Sequence, residues 1–236
     1  MTRALVCMPT YNERENIREI IPAVLAAAPV DILIIDDNSP DGTGGIVEDL
    51  AAREPRLHLL KREAKEGLGP AYVAGFRWAL ERDYQRIIEM DADFSHRPPY
   101  LVDMLHTLQT HDVAVGSRWV AGGGVENWGL HRRILSRGGS FYARTVLGVK
   151  VRDLTAGFVG WRREVLERLD LDSVAAKGYV FQVEMKYRAL LGGFSVKEFP
   201  IIFPDRVAGT SKMSGKIVFE AMAAVAGLPR RVSRGS

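Results

Sequence analysis

The 236-residue chain predicts an α/β fold, a doubly wound, mostly parallel sheet with helices on both faces. Two patterns predict it. Short apolar runs of strand length alternate with longer segments whose apolar residues recur at helical spacing. Three of those runs end directly in polar clusters, and open α/β sheets bind ligands beyond the carboxyl ends of their strands.

Taken in order, Ala4–Met8 reads as a buried strand, and Glu13–Ala28 as a helix with Ile17, Ile20, Ile21, Val24 and Leu25 on one face. Pro22 predicts a kink or an early break in that helix. Asp31–Ile35 is a second strand, residues 44–53 a helix, Leu57–Leu60 a third strand and Pro70–Arg82 a third helix. Arg86–Met90 is a fourth strand, Pro99–Gln109 a helix and Asp112–Val115 a strand. Beyond Gly116 the alternation changes. Gly122-Gly123-Gly124 predicts a flexible loop, Leu130–Leu147 a helix, Val196–Phe203 one further strand and Ser214–Gly227 an amphipathic helix. The reading is a single domain over residues 1–229, followed by a basic tail, 230–236, expected to be disordered.

Composition excludes several classes. With 47% hydrophobic and 26% charged residues the chain is ordinary for a globular protein. A net charge of +3 is too small an excess to argue for a nucleic-acid partner. Cys7, the single cysteine, lies in an apolar run, which suits a buried inert thiol and a reducing compartment. The N-terminal apolar stretch is too short for a signal peptide, and no apolar run reaches the ~18 residues that span a bilayer.

The most informative stretch is Ile87-Ile88-Glu89-Met90-Asp91-Ala92-Asp93. At a strand's C-terminal end, period-two geometry sends Asp91 and Asp93 the same way. Two such carboxylates repel unless a cation sits between them, and Mg2+ or Mn2+ prefers oxygen ligands and shares them with a diphosphate. Alone, the pair also suits a solvated turn. Pro9-Thr10-Tyr11-Asn12-Glu13 suits a helix cap as well as a ligand contact. Asp37 opens strong turn chemistry, Asn38-Ser39-Pro40-Asp41-Gly42. Between Glu126 and Asp153 there is no acidic residue but there are Arg132, Arg133, Arg137, Arg144, Lys150 and Arg152. That run reads either as a solvated face or as a phosphate-monoester site, for which the planar guanidinium is suited.

Together the clusters resemble the inverting, nucleotide-sugar-dependent glycosyltransferases of family 2, which have the GT-A fold. The resemblance is strongest to the polyprenyl-phosphate (dolichyl-phosphate) mannose synthase branch. It is carried by Pro9–Glu13, residues 36–43, Asp91–His96, Gly116-Ser117-Arg118, Asp153–Phe158, Gly178–Met185, and Asp205-Arg206 with Ser211-Lys212. It implies a nucleotide-sugar half over about 1–118 and an acceptor half over about 119–229. Pro9, Tyr11, Glu13, Ile35 and Asp37 match the nucleoside-binding set, and Asp91, Ala92 and Asp93 the metal and diphosphate motif. Arg118, Arg206 and Lys212 match positions near the donor phosphates, and Arg118, Arg132 and Ser136 the acceptor-phosphate position. The catalytic set would be Asp91, Asp93, Arg118, Arg206 and Lys212. Some relatives carry Gln where this chain has Ser95, so a metal role there stays open.

The reaction so implied is transfer of mannose from GDP-mannose to a polyprenyl or dolichyl monophosphate, with inversion, aided by Mg2+ or Mn2+. An acceptor phosphate is already an anion, so it needs charge screening and alignment rather than a general base. A UDP-glucose-dependent polyprenyl-phosphate glucosyltransferase is the alternative on the same fold, and a catalytically silent nucleotide-binding subunit is a third reading. The implied setting is the cytoplasmic face of a membrane, bound peripherally, with a membrane-anchoring protein partner as a further implication. Segments around Phe141, Tyr142, Val146 and Leu147, and the helix over 217–228, suit either a bilayer surface or ordinary core packing.

Overall fold

Strands that are covered on both faces must be apolar throughout, and the first half of the chain meets that condition. The computed structural model describes residues 3–174, 178–204 and 215–232, with backbone only at 179 and 215–219. Its strands are β1 (Ala4–Thr10), β2 (Asp31–Asp36), β3 (Leu57–Lys61), β4 (Arg86–Glu89), β5 (Val113–Ser117), β6 (Gly124–Val125), β7 (Val159–Arg162), β8 (Val196–Pro200) and β9 (Ile202–Phe203). The α-helices are α1 (Arg14–Ala27), α2 (Thr43–Ala51), α3 (Leu68–Leu80), α4 (Tyr100–Thr107), α5 (Leu130–Leu147), α6 (Arg163–Arg168), α7 (Tyr179–Leu191) and α8 (Gly215–Val232).

Seven strands form the main sheet in the order β3-β2-β1-β4-β7-β5-β8, and β6 pairs with β9 in a small second sheet. All pairings in the main sheet are parallel except those of β7 with β4 and β5. Period-two alternation divides the core between the faces. Val6, Met8, Ile32, Ile34 and Ile88 pack with α1, α2 and α4, while Leu5, Cys7, Leu33, Ile35 and Ile87 pack with α3, α6 and α7. Fully burying one such side chain is worth about 1.5–3 kcal/mol. A third cluster joins α5, α7 and α8 through Leu147, Val183, Tyr187, Val225 and Leu228.

Several sequence expectations change here. The antiparallel β7 was not foreseen. It is four residues long, and its Gly160 lets α4 approach so closely that a Cβ there would lie 2.6 Å from Met104 Sδ. Helices α6 and α7 were also missed. Pro22 lies inside α1 without breaking it. The single strand expected over Val196–Phe203 divides at Ile201 into β8 and β9, where Ile201 N–H turns to Ser117 O at 3.1 Å. Gly124, expected in a flexible loop, pairs with Ile202. The basic tail does not begin at 230. Helix α8 runs through Pro229 to Val232, because Val232 is buried and the Arg231 guanidinium donates to Glu184 Oε2 at 2.6 Å. Of the two membrane-facing candidates, the first divides: Leu147 joins the core and Tyr142 donates to Met222 O, while Phe141 is 62% exposed; in the second, Val225 and Leu228 are buried. Among the described residues no helix is long and apolar enough to cross a membrane.

Gly123 sits so near the end of β5 that an added Cβ would meet Ser117 O at 2.5 Å. The obstacle is backbone, so it cannot rotate away. Gly123→Ala is expected to cost about 1–3 kcal/mol, the usual range for overpacking, read from urea unfolding midpoints.

Candidate active site

The nucleotide side forms where β1 and β2 end side by side. Asp37 N–H donates to Thr10 O at 3.1 Å, which ties the two loops together. Asp36 then organises the turn. Its carboxylate accepts from Thr10 Oγ1 (2.9 Å), Ser39 Oγ (2.6 Å) and Ser39 N–H (3.0 Å). Asp41 accepts from both Thr43 N–H and Thr43 Oγ1, and from Arg14 N–H, so it joins the starts of α2 and α1. Asn12 and Asn38 adopt left-handed backbone, at φ 61° and 55°, a conformation asparagine tolerates. Glu13 precedes α1 but makes no side-chain cap; its carboxylate accepts from Asn16 instead.

Asp37 faces a partner the sequence reading missed. Arg62 Nη1 donates to Asp37 Oδ1 at 2.5 Å, both side chains being nearly buried, and Arg62 Nη2 reaches Glu66. Burial pushes the Asp37 carboxyl above its usual range, and Arg62 opposes that shift. Lys65, also missed, holds its ammonium 3.6 Å from the ring centre of the exposed Tyr11. Pro9 pairs in register with Ile35. Ile35 is 0% exposed and its Cδ1 packs towards Gly75, so a nucleoside contact there is corrected to a supporting role.

On the acidic loop, β4 ends at Glu89, so Asp91 and Asp93 lie beyond the strand rather than on it. A loop of its own holds them. Asp91 N–H donates to His96 Nδ1 at 2.9 Å, which puts the neutral ring's proton on Nε2. Asp91 Oδ2 at 3.9 Å from that unprotonated nitrogen is therefore not an ion pair. Asp93 Oδ1 accepts from Ser95 N–H at 3.0 Å, and Phe94 turns the chain at φ 60°. Ala92 is buried in the core beneath.

Two carboxylates here suit a hard dication, and a further oxygen fits the same purpose. Ser95 Oγ is sealed from solvent and has no hydrogen-bond partner, an uncommon state for a buried hydroxyl. Among the described residues no cluster of three or more His, Cys, Asp or Glu side chains could hold a metal by itself. The donor set present thus fits a Mg2+ or Mn2+ whose other ligands are diphosphate and water. Tyr72 also has a buried hydroxyl without a partner, and burial together with Asp91, Glu89 and Asp93 keeps that phenol protonated.

The basic side departs from expectation at Arg118. Its Nε and Nη2 grip Asp153 at 2.8 and 2.7 Å, its backbone N–H adds a third bond at 3.0 Å, and Nη2 reaches Thr155 Oγ1. Asp153 is 0% exposed. Burial pushes its carboxyl up, but Arg118 outweighs that and holds it below the usual range. Arg118, expected near the phosphates, is thus held by Asp153 and Thr155, partners the sequence reading did not foresee. Arg132 lies on α5 with its guanidinium 3.9 Å from the Trp128 ring centre, and half-buried Ser136 is one turn further along. Arg206 and Lys212 lie outside the described residues.

Aromatic rings connect the two charged groups. His96 stacks on Phe158 at 5.1 Å and meets Phe203 at 5.4 Å; Phe203 meets Trp128 edge-on at 5.6 Å; Trp128 carries Arg132. Arg118 lies 5.5 Å from Phe203 and 5.8 Å from Trp128. The acidic loop and the arginines therefore share one wall. Phe203 reaches it through β9, the strand the sequence reading merged with β8.

A doubly wound sheet with acidic and basic groups meeting at its carboxyl end defines a glycosyltransferase of the GT-A type. The model of glycosyl transferase family 2 matches residues 5–170, and the chain belongs to that family. It is 49% identical to a polyprenol monophosphomannose synthase of Mycolicibacterium smegmatis, over 98% of this chain and 89% of that one. It is 46% identical to an undecaprenyl-phosphate mannosyltransferase of Micrococcus luteus, over 93% and 91%. Among solved structures, it resembles glucosyl-3-phosphoglycerate synthase of Mycobacterium tuberculosis in complex with Mn2+, UDP-glucose and phosphoglyceric acid. That likeness has a TM-score of 0.67 at 16% identity, covering 98% of this chain and 80% of that one. A mannosyltransferase of Pyrobaculum calidifontis, in complex with GDP-Man and Mn2+, gives 0.58 at 17% identity, covering 98% and 72%. At these identities the structural likeness concerns the fold.

Asp153→Asn would leave Arg118 buried without its counter-charge, at a cost of about 3–5 kcal/mol. The pH dependence has a definite sign. Because folding lowers the Asp153 pKa, its stabilisation is present above the unfolded value of ~3.9 and is lost as pH falls through the folded value. Thermal melts between pH 2 and 6 should show that acid limb in the native protein and a shallower one in Asp153→Asn.

Proposed function

We propose that this enzyme transfers mannose from GDP-mannose to a polyprenyl monophosphate, inverting the anomeric carbon to give a β-linked mannosyl phosphate. The observation that carries this reading is the shared wall joining Asp91 and Asp93 to Arg118 and Arg132 through His96, Phe203 and Trp128. The two relatives named for polyprenyl-type mannosyl transfer, at 49% and 46% identity, supply the substrate class.

Both partners in such a reaction are anionic, so the main barrier the protein must remove is repulsion. Asp91 and Asp93 would hold a Mg2+ or Mn2+, which would supply positive charge to offset that of the diphosphate. Arg132 and Arg118 draw in the acceptor phosphate and hold it behind the anomeric carbon. One phosphate oxygen uses its own lone pair to form the new bond to carbon as the bond to the diphosphate breaks, and GDP leaves with that electron pair. A separate catalytic base is unnecessary. Asp37 with Arg62, and Tyr11 with Lys65, offer the nucleoside end both acceptors and donors. Arg206 and Lys212 belong to the proposed donor-phosphate set.

The acceptor's long tail requires a bilayer nearby. Helix α5 exposes Leu130 (73%), Ile134 (61%) and Phe141 (62%) beside exposed Arg133 and Arg137. Apolar residues flanked by arginine suit the surface of an anionic membrane, which makes α5 the proposed docking face and the association peripheral. A membrane-anchoring protein partner and a cytoplasmic-leaflet location go with the same reading.

Radiolabelled GDP-mannose incubated with polyprenyl phosphate and Mn2+ should move label into the lipid fraction. Asp93→Ala should reduce that rate at least as much as the roughly 10–100-fold typical of a lost outer-shell partner at a metal. Lipid labelled from UDP-glucose instead would favour the glucosyl alternative. Liposome flotation should recover the native protein with anionic vesicles, and a Leu130→Ser, Phe141→Ser double variant should float several-fold less.

A further inference from the structure

Beneath the site lies a buried polar chain that the proposed chemistry does not use. Lys186, on α7, is 0% exposed and shares its three N–H donors among four oxygens: Leu154 O (3.1 Å), Ala156 O (2.8 Å), Gln182 O (3.0 Å) and Gln182 Oε1 (3.2 Å). Gln182 faces the other way with its amide nitrogen, which donates to Glu89 Oε2. Glu89, also 0% exposed, accepts from Trp161 Nε1 at 2.7 Å through its second oxygen. One glutamine amide thus spans a buried carboxylate and a buried ammonium. Burial pushes the Glu89 carboxyl up and the Lys186 ammonium down, and each charge opposes the other's shift.

The ends of this chain are informative. Leu154 and Ala156 flank Thr155, whose hydroxyl takes Arg118 Nη2, and they follow Asp153, which grips the same guanidinium. Lys186 therefore pins from below the turn that aims Arg118. At the other end, Glu89 closes β4; Met90 N–H donates to Cys7 O at 3.1 Å, and the next residue is Asp91. Both sides of the site are hung from α7. A buried ion pair is seldom more stabilising than a well-packed apolar pair of equal volume. What a bridged pair supplies here is a fixed distance between two loops that come from different parts of the chain.

We propose that Lys186, bridged by Gln182 to Glu89, is a positioning residue that holds the Arg118 side of the site in register with the acidic loop. The inference deepens the mannosyl-transfer reading and rests on it. It separates binding from chemistry. Each loop keeps its own ligand contacts when the bridge is cut, but the acceptor oxygen and the anomeric carbon no longer meet in line. Misplacement by about 1 Å can cost on the order of 100-fold in rate.

The test compares the native protein with Gln182→Leu, Lys186→Met and the double variant Glu89→Gln, Lys186→Met. The last replaces both charges with neutral groups, and so keeps the core foldable if Lys186→Met alone is not. GDP binding in the presence of Mn2+ is measured by calorimetry, and kcat is expressed per GDP-binding site, which removes any contribution from misfolded protein. The expected result is a GDP Kd and a polyprenyl-phosphate KM within about 2-fold of native, with kcat lowered about 10- to 100-fold in every folded variant. The double variant should regain thermal stability relative to Lys186→Met without regaining kcat. Native kcat per site in Gln182→Leu or in the double variant overturns the inference and leaves a packing role only. A native protein that labels no polyprenyl phosphate from GDP-mannose overturns the functional reading instead, and the inference with it.

Discussion

Asp153 keeps its charge without solvent because Arg118 takes both of its oxygens, and much of the acceptor side depends on that pair. A carboxylate with no water around it is costly unless its partner meets it with good geometry and further hydrogen bonds. The Arg118 backbone N–H, and Glu198 accepting from Asp153 N–H at 2.9 Å, complete the surroundings. The pair fixes the turn after β5, and Gly123 returns close against that turn. It also holds a guanidinium beside Phe203 and Trp128, where aromatic faces favour a cation.

That arrangement bears on the electrostatic problem of joining two anions. An enzyme for this task must collect positive charge without letting it collapse onto the nearby carboxylates. Here the rings of His96, Phe203 and Trp128 stand between the acidic loop and Arg132, while Asp153 absorbs one edge of Arg118 from behind. The acidic and basic groups share one wall of aromatic rings.

Some of this was legible residue by residue. The alternation of apolar runs and helical faces is a local property, so strands β1 to β5 and their helices were recoverable within a few residues. Asp37, Asp91 and Asp93 stood out because strand-end carboxylates need a reason to be there. Arg118 was recognised as important, but its protein partner Asp153 went unnoticed, since that ion pair spans 35 residues of sequence. Glu89 was visible as one acid in an apolar run, yet nothing local says that Trp161 and Gln182 will satisfy it. Ile35 was assigned to the nucleoside by family resemblance, and only the packing of α3 shows its side chain facing the core. The antiparallel β7 escaped notice because four residues containing a glycine carry too little periodicity to stand out.

What the amino-acid order determined unaided was the set of elements, the acidic and basic clusters and the family they resemble, because apolar spacing and charged motifs are read over short windows. Only the tertiary structure decided which charge meets which. It placed Arg62 on Asp37, Arg118 on Asp153 and Lys186 beneath the 153–156 turn, through contacts whose partners lie far apart in the chain. Hydrogen bonding and burial depend on distance in space, and distance in space is set by how the sheet and α7 close around the core.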